Sequence, residues 1–178
     1  ATDRENCQPT PPPGEVEIEG SPLYHKTEYR ERRDHYAFYS VNAPIDGFDT
    51  DRESFIGMYN GFDAPQNVLA GKSGNSVAHG WSPIASHRIS VHLEPGESRT
   101  LVFVLGYVVN APQHKFAPDG SIDKTQAHEL TGAFDTPAKA DAAFAKLRSE
   151  WDDLLNRFQV ESGCPELDRM VNIWNQYQ

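Results

Sequence analysis

At 178 residues, the chain is long enough for one ordinary domain with a real core and too short for two large ones. Hydrophobic residues make up 38%, with three Trp, seven Tyr and nine Phe, which argues against a chain disordered by composition. A formal net charge of −10 argues against a nucleic-acid footprint and against docking on anionic lipid, and no apolar run approaches the length of a membrane span.

Residues 1–13 form a polar lead-in ending in Thr10 and three prolines, an extended segment and not a folded element. It shows no basic region followed by an apolar stretch, and because it starts with Ala1 the chain is expected to begin inside a longer protein. Cys7 and Cys164 lie near opposite ends, which suits two free thiols in a reducing compartment better than a disulfide framework; a cytoplasmic location is expected. From Gly14 the pattern has period two: Val16 and Ile18 alternate with Glu15, Glu17 and Glu19, predicting a half-exposed strand that Ser21-Pro22 ends.

Two further strands are predicted at Leu23 to Arg30 and His35 to Ala43. In the second, Ala37, Tyr39 and Val41 share one face and Tyr36, Phe38 and Ser40 the other, so it belongs inside a sheet or between two sheets. Phe55, Ile56, Met58 and Tyr59 suggest a short strand ended by Asn60-Gly61. Residues 62–86, rich in Gly, Asn, Ser, Ala and Pro, form a long irregular connection, of the kind that is functional or packed against another part of the protein. Arg88 to Leu93 and Thr100 to Val109 then read as a strand pair about the turn Glu94 to Ser98, the first with one wet face and the second buried. Turn-separated strands of this kind point to an antiparallel sandwich.

After Asn110 the character changes. Asp123 to Phe134 is a short helix weakened by Gly132. Thr136-Pro137 is a strong helix start, because Thr caps and the proline lacks an N–H that would go unpaired there. From Ala138 to Phe158 an apolar face recurs through Phe144, Leu147, Trp151, Leu154, Leu155 and Phe158. Cys164-Pro165-Glu166 opens another helix with Leu167, Met170, Val171, Trp174 and Tyr177 on one side. It runs to Gln178 in mid-pattern without a stop signal, which we read as truncation; folding back onto the sheet is the alternative. The expected architecture is mainly β with C-terminal α, part of a large antiparallel sandwich followed by linker helices.

No nucleotide-binding Gly loop, zinc spacing, nucleophile elbow or metal-binding helix motif is present, and the seven His are dispersed. The stretch Glu28 to Asp34 sets Arg30, Arg32 and Arg33 among three carboxylates. Its guanidinium forks could meet sugar hydroxyls or phosphate, while a self-neutralising ion-pair network is the blander reading. Asp49, Asp51 and Glu53 alternate, so in an extended segment they would share a face; flanked by Arg52, they suit structural partners or a loop anchor better than a glycosidase pair. Trp81 could stack on a sugar ring or plug its loop into the core. Arg30, Arg33, Asp51, Arg52, Glu53 and Trp81 are the candidate carbohydrate-binding or interface residues; no catalytic residue and no metal ligand is expected in this chain.

Several strings resemble the cellobiose phosphorylases of glycoside hydrolase family 94: GEVEIEG, the long string from Tyr24 to Gly61, NSVAHGWSPIASH, LEPGESRTLVFVLGYV and the terminal DRMVNIWNQYQ. The resemblance covers most of Gly14 to Gln178 in the right order. It implies a supersandwich portion over 14–134, a helical linker over 135–163, and at 164–178 the first helix of an (α/α)₆ catalytic barrel. It further implies an enzyme in which a carboxylic acid in the barrel protonates the glycosidic oxygen while inorganic phosphate attacks the opposite sugar face. Cellobiose would give α-glucose 1-phosphate and glucose, with phosphate as co-substrate and no organic cofactor or metal. The implied partners are the catalytic barrel, a second copy in a homodimer, and a β-linked glucose disaccharide; no nucleic acid or membrane is implied. The family's Arg-bearing loop does not align with DRENCQPTPPP, so its role is not carried over to Arg4, and no residue here matches a catalytic position. The chain alone is expected to be inactive and prone to aggregate. Competing readings are a stand-alone carbohydrate-binding or assembly module, and a cellodextrin, chitobiose or laminaribiose phosphorylase.

Overall fold

The computed structural model describes residues 16–26, 33–78 and 82–175, and the chain divides into two compact units, Ala1–Asp135 and Thr136–Gln178. In the first unit, β1 (Val16–Ile18), β2 (Leu23–Lys26), β3 (His35–Val41) and β6 (Phe103–Val109) form an antiparallel sheet in the order β1-β2-β3-β6. A second sheet pairs β4 (Gly47–Asp49) with β5 (Ser86–Arg88). The fold is that of a mainly β protein with C-terminal helices.

The register sorts side chains onto two faces. Tyr24, Tyr36, Phe38 and Val108 occupy one, where Ile122 and Ala127 cover them to make the buried core. Ala127 belongs to α3 (Thr125–Ala133), and Ile122 to a short hairpin bridged to Phe116. Phe38 lies directly opposite Gly106, and its ring fills the space that a β-carbon there would need. A glycine in this strand therefore serves close packing.

Glu17 fastens the same layer. Its carboxylate takes Lys26 Nζ at 2.9 Å, Lys124 Nζ at 3.0 Å and the Ile122 backbone N–H at 3.0 Å. Burial alone would raise the Glu17 carboxyl, but the hydrogen bonds from Lys26, Lys124 and Ile122 outweigh it and hold the group below its ordinary value. Strand β1, the β2 end and the start of α3 are thus joined by one anion.

The other face carries Leu23, Ala37 and Tyr39, and the second sheet reaches it. The Tyr39 ring stacks on His87 of β5 with centroids 5.0 Å apart and on Phe103 at 5.8 Å. An open cavity of about 240 Å³ remains between Leu23, Tyr39 and Leu105 on one side and Thr50 and Ile84 on the other.

Three expectations need correction. The segment around Phe55 is no strand but α1 (Arg52–Ile56), because Asp51 caps it: its side chain accepts the Ser54 N–H at 2.8 Å. Arg88 to Leu93 and Thr100 to Val109 do not pair; β5 bonds to β4, and β6 bonds to β3. The turn between them does form, with Glu97 N–H donating to Glu94 O at 2.9 Å, but Asp46 holds Ser90 N–H at 2.6 Å and Val102 is held by Asn42. Nor is β6 buried throughout: Phe103, Leu105, Tyr107 and Val109 are exposed while Val108 is buried. Its apolar run reflects a packed face and a second face left open, with β6 at the sheet edge among the described residues.

In the second unit, α4 (Pro137–Leu155) starts as expected, with Thr136 Oγ1 accepting the Lys139 N–H at 3.3 Å. Next, α5 (Pro165–Arg169) continues as a π-helical turn, Met170–Trp174. Asn172 clamps the link between these helices: its side chain accepts Val160 N–H at 2.7 Å and donates to Val160 O at 2.9 Å. No residue of α4, α5 or the π-helical turn is buried, and Phe144, Leu147, Met170 and Trp174 are exposed.

Candidate functional site

The most organised polar feature of the first unit is built at the end of β4. Asp49 is 1% exposed and accepts Asn67 Nδ2 at 3.0 Å, Gly74 N at 3.1 Å, Ser76 N at 3.2 Å and Ser76 Oγ at 2.7 Å. A buried carboxylate is tolerable only when its oxygens are met by donors, and here they are met from one loop. Thr50 continues the knot: its hydroxyl donates to Ser76 O at 3.0 Å and accepts Ala78 N–H at 2.9 Å, and its carbonyl accepts Ile84 N–H at 2.9 Å. Gly47 allows the loop to come close, since a β-carbon there would stand 2.9 Å from Ser73 Cβ and 3.0 Å from Asn75 Oδ1.

The connection that follows α1 is therefore anchored through Asn67, Gly74, Ser76, Ala78 and Ile84. It also projects apolar side chains: Met58, Phe62, Val68 and Leu69 are exposed, and Tyr59 is 98% exposed in left-handed backbone at φ 66°. The short helix α2 (Gln66–Leu69) lies within it. A rigidly held loop with an apolar tip suits contact with another surface better than chemistry.

The anticipated carbohydrate or interface residues distribute as follows. Asp51 is the cap of α1 and its N–H reaches Ser76 Oγ at 3.4 Å, so it joins the knot. Arg52 is half-buried and Glu53 exposed in the first turn of α1. Asp49, Asp51 and Glu53 do not share one extended face: the first is sealed at the end of a strand, the second caps and the third is helical. Arg33 sits on another element, in the exposed turn entering β3. Arg30 and Trp81 lie outside the described residues, although Ala78 and Ile84, which flank the Trp81 segment, both bond to Thr50. The residues that sequence reasoning passed over are Asn67, Gly74 and Ser76. An Asx-and-Gly-rich loop after an acidic strand end is their one local signal, and it names no partner.

Among the described residues, no group of His, Cys, Asp or Glu is placed to hold a metal ion, and no helix is long and apolar enough to cross a membrane. The arrangement can hold a loop and present a surface. It offers Asp49 no access to a substrate, because that carboxylate's oxygens are occupied by the protein itself.

These features define a β-sandwich-type domain with a helical extension, in which a buried carboxylate fastens a surface loop. The glycosyl hydrolase 94 supersandwich domain model matches residues 1–137, and the chain belongs to that family. It is 29% identical over 93% of its length to an N,N'-diacetylchitobiose phosphorylase of Vibrio proteolyticus, and 28% identical over 88% to that of Vibrio furnissii. It spans only 18% and 17% of those two relatives. A cyclic β-(1,2)-glucan synthase, NdvB of Rhizobium meliloti (strain 1021), is 26% identical over 80% of this chain, which covers 5% of the synthase.

Proposed function

We propose that this chain is the supersandwich portion, with the helices that follow it, of a disaccharide phosphorylase, and that it serves as scaffold and assembly surface and performs no turnover itself. The observation that carries this reading is the family match over residues 1–137 together with phosphorylase relatives aligned along nearly the whole chain. The division at Asp135 supports a boundary between sandwich and helices near the expected one. On this reading, the chain's partners are a helical catalytic barrel of the same enzyme and a second copy of that enzyme, and it works in the cytoplasm.

The reaction of the whole enzyme is phosphorolysis of a β-linked disaccharide. A barrel carboxylic acid protonates the glycosidic oxygen, phosphate attacks the anomeric carbon from the opposite face, and a sugar 1-phosphate and a free sugar leave. The resemblance strings suggest cellobiose as substrate, whereas the two Vibrio relatives are named for N,N'-diacetylchitobiose. Both substrates belong in the test.

The purified chain, incubated with inorganic phosphate and either disaccharide, is expected to yield no sugar 1-phosphate; sustained formation would overturn the scaffold reading. Calorimetric titration with the same sugars separates the alternative of a stand-alone carbohydrate-binding module. Saturable binding to the isolated chain would favour the module, and its absence the scaffold.

A further inference from the structure

Two asparagines in or beside the anchored loop precede a small residue, at Asn60-Gly61 and Asn75-Ser76. Loss of ammonia from an asparagine requires the next backbone nitrogen to shed its proton and reach the side-chain carbonyl carbon. At Asn75 both reacting groups are engaged. Ser76 N donates to Asp49 Oδ1 at 3.2 Å, and Asn75 Oδ1 accepts Phe48 N–H at 3.1 Å. Moving either would cost hydrogen bonds of the buried carboxylate knot.

At Asn60 the reverse holds. Asn60 and Gly61 are both exposed, and among the described residues no acceptor takes the Gly61 N–H. The Asn60 amide donates to Ile56 O at 3.3 Å, a long contact at the surface. Gly61 brings no β-carbon to hinder ring closure, and the loop around it is the exposed apolar tip carrying Met58, Tyr59 and Phe62.

We propose that Asn60 is a self-modifying site, at which the loop converts its own amide to a carboxylate. The deprotonated Gly61 nitrogen attacks Asn60 Cγ, its proton passing to solvent base. The new C–N bond closes a succinimide as the Cγ–Nδ2 bond breaks and ammonia departs with a proton. Water then opens the ring at either carbonyl, giving aspartate or, with one methylene moved into the main chain, isoaspartate. No oxidant or cofactor takes part. The product adds a negative charge to the apolar tip of a chain already at −10. This inference is independent of the enzyme reading.

The purified 178-residue chain is aged in mildly acidic and mildly alkaline buffer, then peptide-mapped by mass spectrometry with isoaspartate labelling. The NH-to-O mass increment is expected first in the peptide holding Asn60, faster at the higher pH, with Asn75 lagging by about tenfold or more. In urea, which releases Ser76 N from Asp49, Asn75 accelerates and the gap narrows. Gly61→Ala slows Asn60 by about tenfold; a β-carbon there meets only the swinging Asp63 carboxylate, at 2.5 Å, so the variant folds. Asn75 reacting as fast as Asn60 in the folded chain, an Asn60 that reacts only in urea, or a Gly61→Ala chain that ages at the parent's rate would each overturn the proposal.

Discussion

Asp49 shows how one side chain can be read two ways until its neighbours are known. As an acidic residue among others in FDTDRES it suits either catalysis or anchoring, and four donor groups from residues 67–76 decide for the anchor. Asp49→Ala leaves those donors without their acceptor and is expected to cost about 2–4 kcal/mol in urea unfolding. Amide exchange at Gly74 and Ser76 should rise ahead of that in β2 and β3. Equal acceleration in both regions would contradict the anchor. Gly106 is a second residue whose role is invisible locally. Gly106→Ala forces the Phe38 ring out of its place and is expected to cost about 1–3 kcal/mol. Combining it with Phe38→Leu should recover part of that loss, a non-additivity that a double-mutant cycle reads directly.

At the scale of elements, legibility followed the range of the interactions. The start of α4 could be read from Thr136-Pro137 because capping is a contact over three residues, here Thr136 to Lys139. Thr136→Ala should destabilise that helix by about 1 kcal/mol, visible as lower far-ultraviolet helical signal at moderate temperature. Strands β1 and β3 are legible for a similar reason: alternation is a local pattern. The apolar residues around Phe55 fit both periods, and the cap at Asp51 selects the helix. The pairing of β6 was out of local reach. Its partner β3 lies more than sixty residues away, from Val41 to Phe103, and the nearer candidate beyond the Glu94 turn is not its neighbour.

At the scale of the whole first unit, two titrating groups predict a stepped loss of stability on acidification. His87 stacks on Tyr39 between the sheets; burial lowers the pKa of its imidazole, with a backbone group of Ser21 only partly offsetting this. A depressed group gives full stability above its unfolded value, and that stability is lost as pH falls through the folded one. Stability should therefore begin to drop just below the ordinary imidazole range, and His87→Phe should remove that step in melting curves taken across pH. Glu17 has the same sign in a lower window. Its carboxyl is held down by Lys26 and Lys124 against the effect of burial, so its contribution is full above the usual carboxylate range and is lost as the pH falls from that range through the lowered value. Glu17→Gln, which keeps the shape and removes the anion, should shrink the lower step, to which the lowered carboxyls of Asp46, Asp119 and Asp123 also contribute, and leave the His87 step in place.

By itself the sequence determined the mainly β character, the helical C-terminal part, the acidic charge, the cap of α4 and the strings shared with its family. Each of these is carried by composition, by periodicity or by contacts between near neighbours. The tertiary structure decided that Asp49 is a sealed anchor, that β6 joins β3 with Phe103, Leu105, Tyr107 and Val109 exposed, and that, among the described residues, Ser76 N has an acceptor and Gly61 N has none. Those outcomes depend on which distant segment supplies the donor, the ladder partner or the cover. Chain closure over long loops selects that segment through the summed packing of many residues, a sum that no short window of sequence contains.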